Sequence, residues 1–520
     1  MAFSGAVVLA DLDDYITPSQ ACVKPVENTG TNSANNTQIR LDDTGGYYEV
    51  GHDGVEQKLE KASITLNDCL ACSGCITSAE SVLVTMQSQH ELYKVLEANG
   101  MAQAENRPQD HRTIIISISP QSRASIASKY HLTPLQTHKR LLHFFTKLGC
   151  HHTFDTSFSR DFSLLESAKE FVRRYRKHDS QKGGVLPMLA SACPGWICYA
   201  EKTHDYILPH IDSTKSPQQV MGSLVKDYFG GHLGVTPDKI YHVAVMPCYD
   251  KKLEASRQDF YNDVYSTRDV DCVITTGEVE KMFSEQGVRI TECPESEIPS
   301  LFTKAVTSPL DGSAILTGTE GSSSGGYLSY IFRYAAWELF GVPLTLEDIE
   351  LGQNGVQLRP GRNTDFKEII LNVPDRGPVL KFAASYGFRN IQNLVRKYKT
   401  PAGGRVRQRN GGAGAQSEYH FVEVMACPSG CINGGGQLKP DDVAGQEGGP
   451  ASRGFLAKAE EAYRSVAASG GVQFPEANPA IRTLYEEWLG GEDTPKAKEM
   501  LHTKYHAVEK NLSSGLTVKW

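Results

Sequence analysis

Three apolar runs, far apart in the chain, each stop at a cysteine. "VLPMLASAC" ends at Cys193, "YHVAVMPC" at Cys248 and "FVEVMAC" at Cys427. Runs of this length and composition read as buried strands. Ligands of open α/β sheets bind beyond the carboxyl ends of the strands, so the shared placement restricts the chain to folds that gather those ends. Cys431 follows four residues after Cys427, and Pro428 suits the first position of a helical turn, which would turn both sulfurs to one face. Gly434, Gly435 and Gly436 would let backbone N–H groups approach a sulfur-rich anion. A cysteine taken singly in a strand is ordinarily a small buried hydrophobe. Four thiols from three similar segments are better read as one cluster site.

A second constellation lies near the N-terminus. "CLACSGC" holds Cys69, Cys72 and Cys75 in a C-x2-C-x2-C run, in which two-residue spacers aim three sulfurs inward from a tight loop. A 4Fe–4S cubane needs a fourth thiolate. The C-x3-C-P step of bacterial ferredoxins is absent, because Ala79 stands there, so the fourth ligand must be remote. Cys22 is the other cysteine of this region. Zinc on the same four residues is the alternative, but zinc sites usually pair two C-x2-C knuckles. Cys150, Cys198, Cys272 and Cys293 lie in or beside apolar runs and read as buried or incidental, with Cys198 the nearest to the second site.

The rest of the composition limits the classes open to the chain. Its 520 residues allow two to four domains, and a net charge of −8 argues against a nucleic-acid footprint. "MAFSGAVVLADLDDYITP" lacks the basic start of a targeting peptide, and no apolar stretch approaches the roughly 20 residues of a membrane helix. A soluble intracellular protein is expected, in which clustered cysteines mean metal or catalysis. Residues 27–55 read as a polar loop, and 100–112 as a linker. From 112 onward "RTIIISISP" and the runs above alternate with helical patterns such as "PLQTHKRLLHFFTKLG", predicting α/β layers with mainly parallel sheets. Glycine-rich segments at 403–415 and 444–449 read as surface insertions. The domains expected are a cluster module over 1–105, a core over 106–437, and a loop and helical extension over 438–520 with a mobile tail.

"ASACPGW", "MPCYDKKLE" and "EVMACPSGCINGGGQ", in that order, resemble the three active-site signatures of iron-only (FeFe) hydrogenases, as do "LGCHHTFDTSFSRDFSLLESAKEF" and "STKSPQQVMGSLVKDYF". The resemblance spans roughly 112–436. It implies a hydrogenase-like two-lobed core in which Cys193, Cys248, Cys427 and Cys431 hold a 4Fe–4S cluster, with Cys431 in the position that bridges to a diiron subcluster. Met246, Met425, Lys251 and Glu254 match retained pocket residues, the last two a diiron-contacting lysine and a proton-path glutamate. On its own, the Lys251/Glu254 spacing also fits a surface i,i+3 pair. The proton-delivering cysteine of hydrogenases is replaced by Ala192, which can neither donate nor accept a proton.

The single C-x2-C-x2-C run, preceded by "DLDDYITPSQACVKPV", resembles the eukaryotic hydrogenase-like proteins, the narfin family. That resemblance implies a ferredoxin-like N-terminal module with a 4Fe–4S cluster on Cys22, Cys69, Cys72 and Cys75. It implies a non-enzymatic cytoplasmic role in cytosolic iron–sulfur protein assembly, linking a scaffold NTPase complex to the targeting complex and its WD-repeat subunit. No direct nucleic-acid or membrane partner is expected. A hydrogenase-like oxidoreductase with a diiron centre, and a prelamin-binding nuclear relative, are the competing expectations. Trp520, at the end of "VKW", is a candidate docking residue, since a C-terminal aromatic can anchor a tail on a partner.

Overall fold

The computed structural model divides the chain into two compact units, Met1–Ser81 and Val82–Trp520. It describes residues 83–508, apart from 181, 300, 308–311, 313, 320, 362, 399–418 and 441–449, together with three short strands before residue 60. Cys22, Cys69, Cys72, Cys75, Trp520 and the two glycine-rich segments expected as insertions lie outside the described residues.

The stretch read as a polar loop is in part a sheet. Gln38–Leu41, Tyr47–Val50 and Glu56–Lys58 form a three-stranded antiparallel meander. Isoleucine, tyrosine and valine in these short runs favour strand, and the Asn- and Gly-rich surroundings masked that signal.

The larger unit is built on two sheets. The first contains β1 (Thr113–Ile118), β2 (His152–Asp155), β4 (Ile240–Met246) and β5 (Cys272–Thr275), in the order β5-β4-β1-β2 and parallel throughout. The second has the order β6-β7-β8-β9-β3, from β3 (Met188–Ala190), β6 (Val356–Pro360), β7 (Phe366–Val373), β8 (Gly377–Tyr386) and β9 (Phe421–Met425). Its β6, β7 and β8 are antiparallel, whereas β9 is parallel to both β8 and β3. "TIIISI" and "IYHVAVM" are buried almost end to end, as expected of strands covered on both faces by helices. Thr133 and Gln136 close a capping box on helix Pro134–Leu148, which stops at Gly149 with φ +105°.

One boundary moves. The expected linker at 100–112 is the end of helix Gln89–Ala104 and a short turn that leads into β1. Leu92 of that helix is buried in the core of the first sheet with Ile114, Cys150 and Cys272, so the helix belongs to the larger unit. Gln87 fastens its approach. Its Nε2 donates to the Lys252 carbonyl (2.8 Å) and to Ser256 Oγ (2.7 Å), and its Oε1 accepts from the Val273 N–H (3.0 Å). The C-terminal helices also pack on the core. Ile481, Leu484, Trp488 and Leu501 join the cluster around Phe158, Phe162 and Val220, and helix Pro450–Gly470 covers helix Pro120–Tyr130.

Candidate metal centre

β3 and β9 are adjacent and parallel, with Met188, Leu189 and Ala190 opposite Phe421, Val422 and Glu423. Their carboxyl ends therefore lie side by side. Past β3, Ser191 donates to the Val424 carbonyl and accepts from the Cys193 N–H at 3.0 Å, which ties the turn to the neighbouring strand. Cys193 begins helix Pro194–Thr203, and its sulfur accepts from the Ala426 N–H at 3.4 Å.

After β9 the chain does not enter the helical turn expected at Pro428. Gly430 N–H bonds back to the Cys427 carbonyl at 3.1 Å, with Ser429 and Gly430 both in the left-handed region, and a 3-10 turn follows over Cys431–Asn433. A side chain at Gly430 would begin 2.0 Å from Ser324 Oγ. That hydroxyl accepts from the Cys431 N–H at 3.1 Å.

Cys248 arrives from the other sheet, two residues past β4. The glycine run joins the two sides. Gly436 N–H donates to the Pro247 carbonyl and Gly277 N–H to the Gly436 carbonyl, both at 2.9 Å. A Cβ at Gly434 would lie 2.4 Å from the Pro247 oxygen, and one at Gly436 2.8 Å from Thr275. Gly434 and Gly436 thus allow a close backbone approach between loops. Gly435, between them, turns its N–H to the sulfur of Cys427.

The four cysteines feel one another. Burial, then Asp250, then the other three sulfurs push Cys248 well above the ordinary thiol range. Cys427 is raised as well, by burial and then by Cys193 and Asp250. Burial and then Asp250 raise Cys193, while burial and then Cys193 take Cys431 to about 12. Burial and mutual repulsion of the ionised forms thus hold the four as neutral thiols. A cationic metal group reverses that by holding them as thiolates. Among the described residues no three His, Cys, Asp or Glu are gathered tightly enough for a single ion. Four thiolates brought in from three segments are a donor set that an iron–sulfur group takes.

Met246 and Met425 close the carboxyl ends of β4 and β9, both buried, and Met425 Sδ lies 3.9 Å from Cys431 Sγ. Lys251 and Glu254 are not a surface pair. They are buried, 2.8 Å apart, and share Ser216 as a third partner, while Gln218 donates to Glu254 at 3.0 Å. Ala192 is packed against the core of the second sheet. Cys150 and Cys272 are buried in the first core; Cys293 is partly exposed. Cys198 lines a small cavity with Ser216, Glu254 and Tyr505.

Three groups beside the cysteines were not singled out in the sequence. Asp250 acts on Cys193, Cys248 and Cys427. Ser324 lies in "GSSSGG", whose glycine density was a usable signal. Glu423 is fully buried within β9, bonded to the Leu328 N–H at 2.9 Å and to Tyr386 at 3.1 Å, and burial raises it. An acid inside an apolar strand gives no hint of such partners from its neighbours in sequence.

Residues 112–435 match the family model described as the iron only hydrogenase large subunit, C-terminal domain, and 455–508 that of the iron hydrogenase small subunit. A mouse protein named cytosolic iron-sulfur assembly component 3 is 51% identical, over 100% of this chain and 99% of its own. The chain belongs to the eukaryotic iron-only hydrogenase-like (narfin) family. Its narfin relatives include a Xenopus tropicalis protein named cytosolic Fe-S cluster assembly factor narfl, 49% identical over 100% of this chain and 99% of its own. Among solved structures, a variant of the apo FeFe-hydrogenase HydA1 from Chlamydomonas reinhardtii superposes with a TM-score of 0.63. It is 28% identical and covers 80% of this chain and 98% of its own. The narfin core thus has the hydrogenase-like α/β fold. No helix among its described residues is long and apolar enough to cross a membrane.

Proposed function

We propose that the chain is a cytoplasmic iron–sulfur carrier or adaptor in cytosolic iron–sulfur protein assembly, holding two 4Fe–4S clusters. In this reading it joins a scaffold NTPase complex to the WD-repeat subunit of the targeting complex. The observation that carries the reading is the convergence of Cys193, Cys248, Cys427 and Cys431, in a chain alike over its full length to proteins named for that pathway. Cys193 and Cys427 supply two thiolates from neighbouring strand ends, Cys431 a third from the turn beyond, and Cys248 the fourth from the facing sheet. The Gly435 and Ala426 N–H groups donate to two of those sulfurs. A cluster held there supplies either a redox centre or a group to be passed on. Cys22, Cys69, Cys72 and Cys75 are proposed to hold the other, and Trp520 to dock on the targeting complex. Ala192 provides no proton relay, which favours a role without turnover.

Iron and acid-labile sulfide on anaerobically purified protein test the proposal. About eight irons per chain with matching sulfide are expected, and zinc in place of iron would overturn it. The buried Lys251–Glu254 pair favours a second reading, a hydrogenase-like oxidoreductase with a diiron centre. Carbonyl and cyanide stretches in the infrared would establish that reading; their absence from a sample with full iron leaves the carrier.

A further inference from the structure

The run "DTSFSRDF", 155–162, places several charged side chains where no solvent reaches them. Arg123 and Arg160 are 2% and 3% exposed, Asp155 and Asp161 0%, and Lys304 1%. Two ion pairs account for most of the charge: Arg123 with Asp155, and Lys304 with Asp161 at 2.7 Å. Asn478 donates to Asp161 as well, at 3.0 Å. Among the described residues Arg160 has no carboxylate of its own. Its Nη1 donates to Tyr463 Oη at 2.5 Å, and burial keeps that tyrosine a neutral phenol by raising its pKa. Arg123, Arg160 and Lys304 stand against Asp155 and Asp161, so this group of five carries one positive charge more than negative.

A small cavity lies against this excess charge. Pro120, Arg123, Ser157, Arg160, Thr317 and Thr319 line it, and Ala462, Tyr463 and Val466 of helix Pro450–Gly470 close over it. The cavity volume is about 10 Å³, room for one small occupant. Two buried donors on its wall, Arg123 Nε and Ser157 Oγ, have no hydrogen-bond partner among the described residues. Pro120 and Ser157 are the first-turn residues of two helices, Pro120–Tyr130 and Thr156–Asp179, whose positive ends therefore meet there. Lys304 reaches the same wall through Thr319, at 3.3 Å.

We propose that this cavity binds a single monovalent anion, chloride in the cell, between Arg123, Arg160 and Ser157. A water molecule could take up the spare donors but not the spare charge, and an unpaired buried cation is among the costliest features a fold can carry. The anion neutralises Arg160 and thereby seats helix Pro450–Gly470 on the core. Its role is independent of the cysteine site.

The test uses the full chain, with sodium chloride or bromide titrated against sodium gluconate at constant ionic strength. The unfolding midpoint should rise by about 2 °C or more and saturate with halide, as for a ligand bound only by the folded state. Crystals grown in bromide should show an anomalous peak between Arg123, Arg160 and Ser157. Ser157→Ala removes one donor and should shift the halide half-point upward several-fold, and Arg160→Gln should abolish the halide response. A response that never saturates, or is unchanged in Ser157→Ala, overturns the proposal. So does bromide-grown density that fits a water with no anomalous signal, an outcome that needs no variant to fold.

Discussion

The two sheets of the larger unit contribute unequally to the proposed cluster site. The first is parallel throughout, yet it presents one cysteine, Cys248, together with Asp250 and Lys251 on the helix that follows. The second is mixed, and its parallel pair β3/β9 presents Cys193, Cys427 and Cys431. Of its other strands, β7 runs the opposite way and ends at the far edge, while β6 and β8 end at the same edge as β3 and β9 but carry no cysteine there. Strand direction thus decides which segments can supply a ligand. The number of parallel strands in a sheet does not decide how many they supply.

The largest expected effect tests that division directly. Cys248→Ser removes the first sheet's sole thiol from the set and should lower iron to about half of the wild-type content, as should Cys427→Ser. If Cys248→Ser keeps full iron while Cys427→Ser does not, the first sheet is not a ligand donor. The seam between the sheets comes next. Gly434→Ala forces a methyl to within 2.4 Å of the Pro247 oxygen, so the loop must move. Iron release to a chelator should quicken several-fold, and an unchanged rate would mean that the seam does not guard the site.

Acid should weaken both sheets in unequal measure. Neutral His242 in β4 bonds Ser117 Oγ at 2.9 Å and the Asp269 carbonyl at 3.0 Å, and burial lowers its pKa to about 4. His420, just before β9, accepts the Lys381 N–H on Nδ1 at 3.0 Å and is also lowered to about 4 by burial. Unfolded histidine takes up its proton near 6.5. The unfolded state therefore binds more protons between about 6.5 and 4, and stability falls as the pH drops through that window. The loss should be on the order of 3 kcal/mol for fully buried His242 and less for partly exposed His420. Denaturant unfolding of each His→Gln variant at pH 7 and pH 5 reads the two contributions. The smallest effect confines itself to the first sheet. Gln87→Ala strands the Val273 N–H, while the Lys252 carbonyl keeps Ser256 as a donor, and should cost about 1–3 kcal/mol in the same assay.

Much of the site was legible because its signals are local. An apolar run stopped by cysteine shows itself within nine residues, and Cys193, Cys248 and Cys427 all lie beyond carboxyl ends of parallel strands as that pattern required. The Cys427–Cys431 turn was misjudged because helical and left-handed turns share Pro, Ser and Gly, and the choice rests on Ser324, more than a hundred residues away. Lys251 and Glu254 show the same limit, since spacing reveals that they can pair but not whether water reaches them. Helix Gln89–Ala104 went to the wrong unit because its polar composition hides Leu92, whose partners arrive only when β1 and β5 are assembled.

The sequence by itself determined the strand periodicities, the thiols at their ends and the membership of the family, all of which depend on residues near one another in the chain. Tertiary structure alone decided which thiols share an interior, which glycines must pass close to another backbone, and that Arg160 is left without a carboxylate among the described residues. Those properties are sums over distant segments. Burial and Coulomb interactions act through space, and the chain order of the groups that make them carries no record of that sum.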